Sequence, residues 1–94
     1  MLVARHGDLN SHGNGAIVAF VTTVFVNGMQ ISTLGDNSLA DSQCGGDNPI
    51  THCNPKTTVG SLSVFAEGKG VHRIEDFRLC GAKTSTSSPN VFCG

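Results

Sequence analysis

The chain has 94 residues, with 6 basic and 7 acidic side chains, 4 His, 4 Cys, 12 Gly, 5 Phe and neither Trp nor Tyr. A formal net charge of −1, with no run of like charge, leaves nothing to draw it to nucleic acid or to anionic lipid. Such a chain can bury one small core, and its shortage of large apolar side chains calls for a further staple, whether disulfide, metal or partner.

The first ten residues (MLVARHGDLN) hold no apolar h-region, so no signal peptide is expected. Gly15 to Val26 is the most apolar segment, short of the roughly twenty residues a helix needs to cross a bilayer. Its Ile, Val, Thr and Phe read as one buried strand, or as two with a bend near Thr22-Thr23. Thr22 to Asp36 (TTVFVNGMQISTLGD) then places Asn27-Gly28 between short β-forming runs, a strong hairpin signal because both turn positions tolerate φ > 0. From Asp36 to Gly60 the composition turns to Asn, Ser, Asp, Gly, Pro, Cys and His, which predicts loop. A single helical turn over Asn37 to Ser42 is the only helical allowance. Ser61 to Asp76 (SLSVFAEGKGVHRIED) carries a second hairpin with Glu67-Gly68 at its turn. Lys83 to Pro89 is a polar connection, and residues 1–94 read as a single domain.

The two hairpin segments are copies. Val64-Phe65 falls on Val24-Phe25, Gly68 on Gly28, Ile74 on Leu34 and Asp76 on Asp36. Half-copies stand at the ends: Val3 to Asp8 matches the second half of the unit, and Ser88 to Phe92 the first. Cutting at the turns gives three pieces, each from an Asp to a Val-Phe: Asp8 to Phe25, Asp36 to Phe65 and Asp76 to Phe92. A threefold internal repeat predicts a small all-β, pseudo-threefold fold of repeated strand segments joined by long loops.

Four Cys in a short chain fit two disulfides or a metal site. The repeat favours the metal. His12 and Cys80 each lie four residues after a repeat Asp, Cys44 lies eight after Asp36, and His52 ends the long loop. One soft ligand from each piece, with a second from the long loop, predicts a tetrahedral site of His12, Cys44, His52 and Cys80 at one apex, suited to zinc, with iron as the other metal. Cys53 is the rival ligand. His6, matching Leu34 and Ile74, reads as a packed core imidazole. His72, matching Ala4 and Ser32, reads as a surface or edge residue, and Cys93 as a free thiol.

The residues Val24 to Asp36, the second copy through Asp76 and the ending Ser88-Pro89-Asn90-Val91-Phe92 resemble the PAAR-repeat family over nearly the whole chain. The resemblance departs at the tetrapeptide that gives the family its name, which here is Gln30-Ile31-Ser32-Thr33 and Gly70-Val71-His72-Arg73. It implies a conical β fold with zinc near its tip, held by His12, His52 and Cys80 with Cys44 where the family more often has His. It also implies a structural, non-enzymatic role: a tip that caps the trimeric β-helical spike of a contractile phage tail or type VI secretion system. Such a tip is made in the bacterial cytoplasm, rides at the end of the virion tail baseplate or secretion apparatus, and touches the target envelope in passing. A homotrimeric spike ends in three equivalent edges. The three Val-Phe pairs Val24-Phe25, Val64-Phe65 and Val91-Phe92 are the expected partner-binding residues, with one copy of this chain per trimer. The alternatives are a small Cys/His metal-binding enzyme, for instance using Cys53 with a histidine, or a zinc-bound binding module.

Overall fold

The computed structural model describes residues 1–45 and 49–94. Its strands are two residues long and pair into three small antiparallel sheets. Strand β1 (Ile17–Val18) pairs with β4 (Asn37–Ser38), β2 (Phe25–Val26) with β3 (Met29–Gln30), and β5 (Phe65–Ala66) with β6 (Lys69–Gly70). A five-residue helix, α1 (Pro49–Cys53), lies in the long loop. The fold is therefore mostly β and poor in helix. No described helix is long and apolar enough to cross a membrane.

The hairpins follow from their turn residues. Asn27 and Gly28 have φ of 53° and 79°, and Glu67 and Gly68 have 50° and 80°, so both turns place two successive residues in the left-handed region that suits the twist of the flanking strands. Both pairs of strands continue in the same way. Ile31 N–H donates to Val24 O (2.9 Å) and Val71 N–H to Val64 O (3.0 Å). The chain ends supply a third pairing of this pattern: Leu2 bridges Phe92, and Val3 N–H donates to Val91 O at 2.9 Å.

Beyond each hairpin a tripeptide joins a closed ring. Val3 bridges Arg73, Arg5 bridges Ile31 and Thr33 bridges Val71. The middle residues complete the circuit, with Ala4 N–H to His72 O (3.0 Å), Ser32 N–H to Ala4 O (3.0 Å) and His72 N–H to Ser32 O (2.9 Å). Three residues on, a carboxylate closes each turn by accepting a backbone N–H: Asp8 from Arg5 (2.7 Å), Asp36 from Thr33 (2.9 Å) and Asp76 from Arg73 (3.0 Å). The apolar core lies against this ring and is made of Val3, Val21, Val26, Ile31, Ala66 and Val71, with Val24, Val91 and Cys93 packed on it.

Four expectations are corrected. Asn37 and Ser38 form strand rather than a helical turn, because they pair with Val18 and Ile17. The one helix among the described residues forms in the predicted loop, where Pro49 occupies the first helical position that a residue without an N–H suits; residues 46–48 of that loop lie outside the described residues. His6 is half-buried, with its Nδ1 accepting Ala19 N–H at 3.2 Å, so it is not a packed core imidazole. His72 is wholly buried rather than at an edge, since the ring closes over it.

The His72 ring uses both nitrogens. Nδ1 faces Val59 O at 2.6 Å and Nε2 faces Thr84 Oγ1 at 2.5 Å. A carbonyl only accepts, so Nδ1 carries the proton and Nε2 accepts from Thr84. Burial pushes the imidazole down from 6.5 to about 4. The unfolded chain therefore binds more protons than the folded one between those values. Stability is full above pH 6.5 and is lost as pH falls toward 4, by roughly 3 kcal/mol for this group alone. Denaturant midpoints measured from pH 7 to 4 are expected to fall along this slope, and His72→Gln is expected to flatten it; an equal slope in the variant would refute the assignment.

Candidate metal centre

The turns that follow the three ring aspartates carry the chemistry. After Asp8 the chain bends through Gly13, Asn14 and Gly15, all with positive φ, and presents His12. Gly15 has a second constraint, because a Cβ there would meet Asn10 Nδ2 at 2.5 Å. After Asp36 the chain reaches Asp41, whose N–H donates to His52 O at 2.8 Å and so holds α1 against this turn. After Asp76 the turn closed by Gly81 N–H to Arg78 O (3.0 Å) presents Cys80.

Four side chains converge: His12, Asp41, His52 and Cys80 each offer one ligand atom, all within 4.8 Å of one another. Asp41 Oδ2 is the common neighbour, 3.4 Å from His12 Nδ1, 3.3 Å from His52 Nδ1 and 3.4 Å from Cys80 Sγ. In a tetrahedral zinc site with N and O ligands about 2.0–2.1 Å from the ion, neighbouring donors stand about 3.3–3.4 Å apart. The two histidine spacings around Oδ2 match that edge, and the four donors as a set lie within 4.8 Å of one another. The two imidazoles lie with ring centres 5.1 Å apart.

One of the four donors is left without a partner. His12 Nδ1 is buried and makes no hydrogen bond, although Oδ2 is close by. Buried polar atoms in native proteins nearly always have a partner, and one without calls for an explanation such as an ion. Burial alone would push the Asp41 carboxyl up. Hydrogen bonds from Gln43 N–H, His52, Asn10 and Cys80 outweigh it and hold the group below its ordinary value, so it is ionised at neutral pH. Burial pushes the Cys80 thiol up, and its hydrogen bond to Asp41 adds to the shift. Without a cation the group is therefore a protonated thiol at neutral pH; coordination is what would deprotonate it.

Asn10 supports two of the donors, its Nδ2 reaching Asp41 Oδ2 at 3.2 Å and Cys80 Sγ at 4.0 Å. Beneath it lies Arg78, buried and spent wholly on neutral acceptors. Its Nε donates to Thr84 Oγ1 (2.7 Å), one terminal nitrogen to Gly15 O (2.8 Å) and Ser38 Oγ (3.0 Å), and the other to Asp8 O (3.2 Å). Burial lowers this guanidinium to about 10, still charged at neutral pH.

Of the residues expected in the site, His12, His52 and Cys80 meet in this cluster and Cys44 does not. Cys44 is bonded to Cys53, which removes both its own sulfur and that of the rival ligand, and the carboxylate of Asp41 stands in the fourth place. The chain thus holds a disulfide and a metal-binding cluster together, where the sequence set them against each other. Cys80 and Cys93 are free. The expectation of a purely structural, non-enzymatic chain is also corrected, since a cluster positioned to coordinate a metal ion has catalytic as well as structural potential.

The Val-Phe pairs divide. Phe25, Phe65 and Phe92 are 58%, 59% and 71% exposed, whereas Val24 and Val91 pack partly against the core. Val64 lies more open, at the margin of exposure. No family model matches this chain and no curated protein matches it, so the site is read from its own geometry.

Alkylation separates the two free thiols. With zinc added, Cys80 is expected to be protected from iodoacetamide while Cys93 is modified at its metal-free rate. Peptide mass mapping checks this, and equal modification of both would remove Cys80 from the centre.

Proposed function

We propose that the chain is a zinc-binding module in which His12, Asp41, His52 and Cys80 hold one ion and tie together the turns that carry them. The observation behind this is the convergence of four donor atoms from four separate stretches, one of them a buried imidazole nitrogen with no other partner. Mixed nitrogen, oxygen and sulfur donors within 4.8 Å of one another suit zinc, and iron is the other candidate. With all four donors bound the ion is saturated and acts as a staple. With the Asp41 carboxylate displaced, the open position would give the ion Lewis-acid chemistry. The expected result is one zinc per chain by elemental analysis, lost on acidification because protons compete with the metal for its ligands. Cys80→Ala and His12→Ala are expected to lose the metal and melt at lower temperature, with Cys93→Ser close to the parent. Equal metal content and melting temperature in all three variants would defeat the reading.

A second reading is favoured by the ring and the phenylalanines: a conical, pseudo-threefold tip capping a trimeric β-helical spike of a contractile phage tail or secretion machine. Three observations support it. The tripeptides of the three repeats bond to one another cyclically. Phe25, Phe65 and Phe92 hold the same place in their pairings, opposite Gln30, Gly70 and Leu2, and all three are exposed. The extents of 34 × 23 × 21 Å give one long and two nearly equal short axes, as an object with a threefold axis would have. A spike trimer would meet these phenylalanines through an apolar seam with strand edges matched. Native mass spectrometry with such a trimer is expected to give one copy of the chain per trimer, with affinity nearly independent of salt. Three copies, or no association, would sink this reading.

A further inference from the structure

The metal centre has a covalent neighbour. Cys44, which is exposed, is bonded to Cys53, which is half-buried. Cys53 directly follows His52, and Cys44 lies three residues after Asp41. The crosslink therefore joins the two stretches that carry two of the four donors, and it joins them beside those donors. Non-covalent ties between the same stretches include Asp41 N–H to His52 O at 2.8 Å, His52 Nδ1 to Asp41 Oδ2 at 3.3 Å, Ser38 N–H to Asn54 Oδ1 at 3.1 Å and Asn54 Nδ2 to Asn37 Oδ1 at 3.4 Å. Helix α1 has five residues, far below the length at which a helix holds itself in water. Its position depends on what fastens it.

We propose that the Cys44–Cys53 disulfide is a redox latch on the metal centre. The oxidised form keeps His52 and Asp41 at ligand spacing, and the reduced form lets α1 part from the Asp41 turn, so that metal affinity falls. The latch rests on the metal-binding reading above. Its reductant is a low-molecular-weight thiol or dithiol. One external thiolate attacks the sulfur of the exposed Cys44, forming a mixed disulfide and expelling the Cys53 thiolate. A second external thiolate then attacks the outer sulfur of the mixed disulfide and releases Cys44. The external thiols leave as their own disulfide, two electrons having passed to the protein, and the protons they gave up go to Cys44 and Cys53.

The opposite outcome is chemically distinct. A freed thiolate that replaced the Asp41 carboxylate would make a softer site, and zinc would bind more tightly on reduction rather than less.

Zinc affinity at pH 7 is measured by competition with a chromophoric chelator for three samples. These are the oxidised protein, the protein reduced with a dithiol and desalted under argon, and the Cys44→Ser/Cys53→Ser variant. Binding is expected to be on the order of tenfold weaker, or more, in both the reduced protein and the variant, the scale at which losing an outer support weakens a metal site. The reduced protein gives the comparison without any substitution, so a variant that folds poorly does not decide the result. Equal affinity in the oxidised and reduced proteins overturns the latch. Tighter binding after reduction overturns it in favour of thiol-for-carboxylate exchange. No zinc uptake by the oxidised protein overturns the metal centre itself, whatever the other samples do.

Discussion

The ring of backbone hydrogen bonds through Ala4, Ser32 and His72 is the constraint on which the rest depends. A two-residue strand pair has no stability of its own, and isolated hairpins are marginal even when longer. Here the two hairpins and the Leu2–Phe92 pairing each continue into a tripeptide whose two neighbours are the other tripeptides, so every edge inside the ring is matched. The three aspartates make the arrangement repeatable. Each accepts the N–H of the residue three positions before it, a donor the ring leaves over. Asp8 and Asp76 then pair with Arg5 and Arg73, whereas Asp36 has hydroxyls instead, Ser32 Oγ at 2.9 Å and Thr33 Oγ1 at 3.3 Å. The carboxylate is kept at each position as an acceptor, whether or not a cation accompanies it.

The interior answers the scarcity of apolar residues with polar ones. Buried polar and charged side chains outnumber buried apolar ones among the described residues, from Thr33, Thr57 and Thr84 to Arg78 and the aspartates. A buried guanidinium is costly unless every donor is satisfied. Each of the three nitrogens of Arg78 finds an acceptor, from Asp8, Gly15, Ser38 and Thr84, four stretches that share no strand. It crosslinks the molecule where a larger protein would place leucines.

What the sequence disclosed was the part that repeats. The two hairpin turns follow from Asn27-Gly28 and Glu67-Gly68, and His12 and Cys80 stand out because each lies four residues after a repeat aspartate. Asp41 escaped notice because it has no counterpart at that spacing, and because a carboxylate among so many loop polar residues carries no signal of burial. Cys44 was misjudged for a related reason: spacing from a repeat residue says where the backbone goes, not which sulfur lies nearest. The adjacency of His52 and Cys53 was the available sign, since two neighbouring residues cannot both easily face one ion. His72 was misplaced because its counterparts are the small residues Ala4 and Ser32, and small size in two copies hid that the position is central. Its imidazole is accommodated because Val59 and Thr84 supply a partner for each nitrogen.

The ring and the candidate metal centre are joined through side-chain hydrogen bonds and one β-bridge. His72, in the ring, meets Thr84 Oγ1, which also accepts from Arg78 Nε. Thr84 stands opposite Asn10 in a β-bridge whose hydrogen bonds run from Ser11 N–H to Lys83 O (2.7 Å) and from Ser85 N–H to Leu9 O (2.8 Å), and Asn10 Nδ2 reaches Asp41 and Cys80. A metal site is only as well organised as the groups that orient its ligands. Asp41 and Cys80 are oriented from below by Asn10, which cannot drift because Gly15 leaves it space with no Cβ to spare and Arg78 holds Gly15 O. His12 is set by the same turn, its N–H donating to Asn10 Oδ1 at 3.0 Å. His52 alone lacks support from this stack, because it comes from α1 on the far side of the long loop. The disulfide stands beside that least supported donor, and so the covalent bond and the hydrogen-bonded stack act on different parts of one centre.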